Sequence, residues 1–170
     1  QSPDPSRDGR TIKVVELLDK AAKNLENDLT SQPRRKATLQ ATLGTTYQSL
    51  GLAPQAIPLQ EKVRDFYRDA FGPEHTETIW AMINLATSYR EAGRVDEALK
   101  LEEQSLLLCR KVFGPEHPDT LIAMHNLAAG RSDTGHWDEA IRMHEELLPL
   151  FRKVLGPEHF QTLGVMNLLA

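Results

Sequence analysis

Six histidines and a single cysteine are the residues of this sequence that most readily do chemistry. Three of the histidines, His75, His117 and His159, each follow Gly-Pro-Glu, and they stand 42 residues apart. A spacing this regular places each ring in the same turn of a repeated unit, so the three rings cannot converge on one metal ion. We therefore expect these histidines to cap helices or pack within turns, and we predict no metal site.

The other reactive residues lack the partners that catalysis needs. His144 begins the zinc-protease pattern His-Glu-x-x-His, but Leu148 stands where the second histidine is required. Cys109 lies within an apolar stretch, which favours a buried thiol. Glu102 and Glu103 are adjacent and point to different sides of a helix, so we expect solvated faces rather than an acid–base pair. The sequence has no glycine-rich phosphate loop and no nucleophile elbow, and we predict no catalytic residue, no cofactor and no enzyme activity.

The helices that position these histidines, the cysteine and the glutamates belong to an internal sequence repeat. Residues 113–154 repeat residues 71–112 without a gap, with 21 of 42 positions identical. Within the earlier copy, apolar residues recur at intervals of three and four over residues 75–92 and 95–112, which predicts two helices. Gly93 stands between them, where a left-handed residue closes a helix. Helix pairs of this kind cannot bury their apolar faces alone, so they must stack on neighbours.

One more amphipathic helix is predicted over residues 10–28, and the next helix begins near Arg34, after Pro33. We expect the buried side of the leading helix to comprise Ile12, Val15, Leu17, Leu18, Ala22, Leu25 and Leu29. The predicted organisation is a disordered tail at 1–9, a leading or capping helix at 10–30 and a solenoid at 31–170, with units at about 34–70, 71–112 and 113–154 and a partial unit at 155–170. We interpret the sequence as part of a longer protein.

Composition narrows the function classes further. The chain has 170 residues and a formal net charge of −4, which excludes a strongly basic nucleic-acid module. No apolar run is long enough to cross a membrane as a helix. A single cysteine excludes an intramolecular disulfide and is typical of a reducing compartment. We expect an all-α, cytoplasmic protein that binds neither nucleic acid nor membrane.

One motif of the repeat resembles the signature of tetratricopeptide repeats (TPRs): Asn84-Leu85-Ala86, Tyr89, Gly93 and Asp96-Glu97-Ala98. The 42-residue period, with Gly-Pro-Glu-His-Pro-Asp-Thr-Leu between units, resembles the longer variety found in kinesin light chains and in many bacterial proteins. The resemblance covers residues 34–170. It implies an all-α fold, a right-handed α-solenoid of stacked antiparallel helix pairs, whose concave groove binds a protein or peptide partner.

The resemblance also implies which positions line that groove, because in this family the first helix of each pair does so. Carried over by the Asn-Leu-Ala register, the groove positions are Thr42, Thr45, Trp80, Ile83, Asn84, Thr87, Arg90, Ile122, His125, Asn126 and Asn167. Asparagine amides offer both a donor and an acceptor to a ligand main chain, and Trp80 and Ile122 would provide apolar pockets. The alternative is that Asn84 and Asn126 brace adjacent repeats and that Trp80 packs against the next first helix.

A second resemblance concerns the segment from Leu17 to Tyr47, which is similar to the region after the catalytic domain in some bacterial serine/threonine kinases. It implies an alternative to the peptide-binding scaffold: a regulatory or self-association region of a multidomain kinase or other signalling protein, and hence a homodimer.

At two positions the sequence departs from the TPR pattern, and each departure predicts a change in a helix. We expect Gly130 to loosen the first helix of residues 113–154, and Pro149 to bend the second.

Overall fold

The computed structural model describes residues 9–27, 29 and 31–170, and this part of the chain forms eight helices and no strand. The helices are α1 (Gly9–Asn27), α2 (Pro33–Ser49), α3 (Ala53–Phe71), α4 (Thr76–Glu91), α5 (Val95–Val112), α6 (Pro118–Asp133), α7 (Trp137–Val154) and α8 (Phe160–Leu168). The predicted all-α class is confirmed. The tail predicted at 1–9 lies outside the described residues, apart from Gly9, which begins α1. None of the helices in the described part combines the length and apolar character that crossing a membrane requires.

The described part of the chain divides into two compact units, unit 1 ending at Val63 and unit 2 running from Arg64 to Ala170, with the boundary inside α3. In unit 2, each helix from α4 to α8 packs on the next one along the chain. This consecutive packing of antiparallel helix pairs is the arrangement of an α-solenoid. The core of unit 2 is an apolar cluster whose fully buried members include Ile79, Leu121, Leu147, Phe151 and Val165.

In unit 1, α1 packs on α2 and contributes Leu18 and Ala22 to a small cluster around the buried ring of Tyr47. The Tyr47 hydroxyl donates a 2.7 Å hydrogen bond to Asp19 of α1. The expectation that Leu17 is buried is wrong, since this side chain is 67% exposed. Leu18 and Ala22 point from α1 towards the cluster around Tyr47, so Leu17 points away from this cluster. The side chain of Ile12 lies outside the described residues.

Glycines end the helices where the sequence predicts it. Gly93, after α4, has a φ of 77°, and Gly72, after α3, has a φ of 91°. These left-handed conformations strain any residue with a Cβ, which explains why glycine recurs at both turns. The Thr78 hydroxyl then donates to the Gly72 carbonyl at 2.8 Å, and this bond returns in each later repeat.

The repeated histidines serve these turns. The ring of His75 stacks on Phe71 with a centroid distance of 4.7 Å. His117 accepts a 3.2 Å hydrogen bond from the backbone N–H of Asp119 and so caps α6. These rings therefore pack within the turns or cap the helices that follow.

Helix α7 continues through Pro149, and the predicted bend there stays a prediction.

Candidate functional site

Side chains of α4 and α6 form a partly open surface in unit 2, which we call the α4/α6 surface. The two helices share one register, so that Trp80 corresponds to Ile122 and Asn84 to Asn126. Trp80 is 36% exposed, and Ile122 is half-buried. The surface comprises Trp80, Asn84, Thr87, Arg90, Ile122, His125, Asn126 and Ala129.

The two asparagines are the polar centre of this surface. Both are half-buried, and neither amide makes a hydrogen bond with any residue that the structure describes. Thr87, one turn from Asn84, instead donates its hydroxyl to the Ile83 carbonyl at 3.1 Å. Side-chain hydrogen bonds that would brace adjacent repeats through these two amides are therefore absent from the described part of the chain.

Not every position predicted by register reaches an open surface. Ile83 is 5% exposed and belongs to the apolar core of unit 2, so we place it in the core and not on the α4/α6 surface. Its counterpart one repeat later, His125, is half-buried. The register fixes the direction of a side chain, but its exposure depends on the neighbours that pack over it. Asn167, one repeat after His125, is exposed on α8.

The two predicted positions of unit 1 lie on α2. Thr42 and Thr45 are both exposed. Their hydroxyls donate to the backbone carbonyls of Thr38 and Ala41, each at 3.1 Å. Such bonds to the preceding helical turn satisfy the hydroxyl donors, while the oxygens keep the capacity to accept.

A buried polar residue recurs at one second-helix position: Gln60, Glu102 and His144 are 3%, 1% and 6% exposed. The expectation that Glu102 is solvated is wrong, and the reason lies across the helix contact at Gly130. A Cβ at Gly130 would collide with a carboxylate oxygen of Glu102 and would lie 2.9 Å from Leu99. Gly130 thus permits a close approach between α5 and α6, and α6 runs on to Asp133; the predicted loosening of this helix stays a prediction. Sequence reasoning could have found this position by comparing polar residues across the 42-residue register.

Arg90 connects the buried Glu102 to the α4/α6 surface. Its Nε lies 3.6 Å from a Glu102 carboxylate oxygen, and one terminal nitrogen lies 3.5 Å from Asp133. Neither oxygen of Glu102 has a hydrogen-bond partner in the described part of the chain. Burial raises the pKa of Glu102 to about 7; Asp133 adds to the rise, while Arg90 and Arg131 oppose it. Glu102 therefore changes charge near neutral pH, directly beside Arg90.

Two histidines of α6 and α7 pack against each other, and one of them, His125, lies near Arg90. The rings of His125 and His144 lie with centroids 5.3 Å apart. Burial, with smaller contributions from His144 and Arg90, lowers the pKa of His125 to about 4, and burial also lowers the pKa of His144. Both rings are therefore neutral at physiological pH. Among the described residues, no three His, Cys, Asp or Glu side chains are grouped so as to hold a metal ion.

The environment of the single cysteine disfavours the reactive thiolate form. Cys109 is fully buried in the core of unit 2. Burial, assisted by the negative charge of Asp119, raises the pKa of the thiol to about 11. Because the thiolate is the nucleophilic form, this environment makes Cys109 unreactive, as expected for a core residue.

Comparison with known proteins identifies a matching family and several solved structures with a similar fold. The family described as Tetratricopeptide repeat matches residues 35–106 and 89–153. Comparison with curated proteins gives no match. Among solved structures, the chain is similar to a Podosopora anserina protein named as a putative kinesin light chain with nearly identical TPR-like repeats. A form of that protein with a single substitution has 27% identity and a TM-score of 0.75 over 96% of this chain and 77% of that one. The form without the substitution has 28% identity and a TM-score of 0.73 over 96% and 78%.

A third solved structure shares the fold alone. BtubC (BKLC) from P. vanneervenii is 18% identical, with a TM-score of 0.72 over 95% of this chain and 65% of that one. The family match extends over more than half of the sequence, and the helix pairs, glycine turns and 42-residue register agree with it. This chain therefore belongs to the tetratricopeptide repeat family.

Proposed function

We propose that this chain is a scaffold whose α4/α6 surface binds an extended peptide or a helix of a partner protein. TPR proteins are in general protein–protein interaction scaffolds and not catalysts. The observation that carries the finer proposal is the pair of asparagine amides. Asn84 and Asn126 occupy one register position in successive repeats and make no hydrogen bond within the described residues.

The chemistry of the surface suits main-chain recognition. Each amide offers a donor and an acceptor to a peptide group. The partly exposed side chain of Trp80 and the side chain of Ile122 supply apolar contacts at the same register. Arg90 is the one cationic side chain of the surface, and Glu102 and Asp133 already lie against it.

The two tryptophans of the chain give a direct test. A peptide selected from a random library on the whole chain is titrated into two single-tryptophan variants. Trp137→Phe leaves only Trp80, and Trp80→Phe leaves only Trp137, which is 61% exposed on α7. We expect the peptide to change the fluorescence of the Trp137→Phe variant and to leave the Trp80→Phe variant unchanged. A response from Trp137 alone would place the binding site elsewhere.

Self-association of a larger signalling protein is the second candidate, and α8 favours it. Leu163 of α8 is 46% exposed, whereas Ile79 and Leu121, at the same register, are fully buried. Phe160 and Leu168 of α8 are also exposed. We expect such a homodimer to form in a concentration-dependent way in light scattering and to be abolished by Leu163→Ser. A monomer at every concentration would exclude this alternative for the chain.

A further inference from the structure

We propose that Glu102 controls the affinity of the α4/α6 surface for an anionic group, because the ionised carboxylate holds Arg90 and the protonated form releases it. The inference rests on the proposed role of the α4/α6 surface in peptide binding. It adds a partner chemistry, namely a carboxylate or a similar anion placed at Arg90, and a form of regulation by protons.

The position of Arg90 allows Glu102 and a ligand anion to compete for the same guanidinium group. Arg90 lies in the last turn of α4, and its side chain is 25% exposed, so a ligand can reach it. Its Nε has no hydrogen-bond partner in the described residues, because the Glu102 oxygen at 3.6 Å is too distant. Asp133, 47% exposed, lies 3.5 Å from a terminal nitrogen. The guanidinium is thus attracted to two carboxylates without a short bond to either, and a ligand anion must compete with both.

The other charged groups around Glu102 do not take over this role. From α6, Arg131 lies near Glu102 but pairs with Glu103 of α5 and lies 3.6 Å from Glu139 of α7. From α6, His125 lies near Arg90, and the ring of His144 from α7 lies 5.3 Å from the ring of His125; burial lowers the pKa of both rings. Arg90 is therefore the cation of the α4/α6 surface that responds when Glu102 gains or loses its proton.

Thermodynamic linkage sets the size of the effect. An anion bound at Arg90 places negative charge near Glu102 and so favours the protonated carboxyl. By reciprocity, protonation of Glu102 strengthens anion binding by the same factor. If the bound anion raises the pKa of Glu102 by about one unit, affinity falls roughly fivefold to tenfold between pH 6 and pH 8.5.

The test uses sulfate as the probe, since its charge is constant over this pH range. Sulfate is titrated into the whole chain at pH 6 and pH 8.5, at an ionic strength held constant with chloride, while NMR follows the Arg90 Nε–Hε signal. The variant is Glu102→Gln, which fits because Gln60 is buried at the same register. Glu103→Gln, one residue on and 51% exposed, is the matched control.

We expect the wild type and Glu103→Gln to bind sulfate fivefold to tenfold more tightly at pH 6. Glu102→Gln should bind tightly at both pH values. An equal pH dependence in the wild type and Glu102→Gln, or an Arg90 signal that sulfate never moves, would overturn the inference. These readouts need no peptide, so a failed peptide selection would count against the proposed function and leave this result intact.

Discussion

Replacing Glu102 with glutamine should stabilise the protein at pH 8.5 much more than at pH 5. The carboxyl has a pKa of about 7 in the folded chain, against a reference value of 4.5. Because the folded state binds this proton more tightly than the unfolded state, the stabilisation from Glu102 is complete below pH 4.5. It is lost as the pH rises through 7. Glutamine keeps the shape of the neutral acid and cannot ionise.

The size of the effect follows from the difference between the two pKa values. Each pKa unit is worth about 1.4 kcal/mol, so ionisation of Glu102 removes about 2–3 kcal/mol of the free energy of unfolding between pH 5 and pH 8.5. His125 acts in the opposite direction. Its pKa is lowered from 6.5 to about 4, so its contribution is present above pH 6.5 and is lost as the pH falls towards 4. The two groups offset each other in the wild type, and Glu102→Gln exposes the histidine slope.

The assay is urea unfolding followed by far-UV circular dichroism at a series of pH values from about 4 to 8.5. Glu103→Gln, at an exposed carboxylate paired with Arg131, serves as the control and should change the stability by less than about 1 kcal/mol. The reasoning predicts that the stability difference between Glu102→Gln and the wild type grows with pH by about 2–3 kcal/mol. Parallel curves for the two proteins over the whole range would refute it.

Three further predictions concern packing. Gly130→Ala should destabilise the folded protein by about 1 kcal/mol, because the collision with Glu102 and Leu99 outweighs the gain in helix propensity. Gly164→Ala, which has open space around the new Cβ, should stabilise the folded protein by up to about 1 kcal/mol. Equal effects of the two in thermal melts would show that the close approach at Gly130 is absent. Ala98→Leu, at a fully buried position, should overpack its site and cost about 1–3 kcal/mol in urea unfolding, and a neutral result would contradict the helix-pair register. Tyr47→Phe removes the hydrogen bond to Asp19 and should cost about 1 kcal/mol in the same measurement, while an unchanged midpoint would mean that the bond adds nothing.

Local sequence signals predicted the helices well. The expected bounds of 75–92 and 95–112 fall within a residue or so of the observed α4 and α5, because periodicity, glycine and proline act over a few residues. The burial of Glu102 could not be read in this way. It depends on a missing Cβ at Gly130, which lies in another helix and another repeat. Ile83 shows the same limit, since its register matched the groove while its neighbours enclosed it in the core.

The α4/α6 surface as a peptide-binding site is the central claim, and one calorimetric measurement tests it most directly. The affinity of a library-selected peptide is compared for the wild type, Trp80→Ala, Asn84→Ala and the control Trp137→Ala, with thermal melts of each. Truncating an aromatic anchor costs about 2 kcal/mol or more, so Trp80→Ala should weaken binding roughly thirtyfold. Asn84→Ala should cost about 1–3 kcal/mol, since peptide groups lose their partner, and Trp137→Ala should bind as the wild type does. Full affinity in Trp80→Ala and Asn84→Ala, with lowered melting temperatures, would assign both residues to structure and contradict the claim.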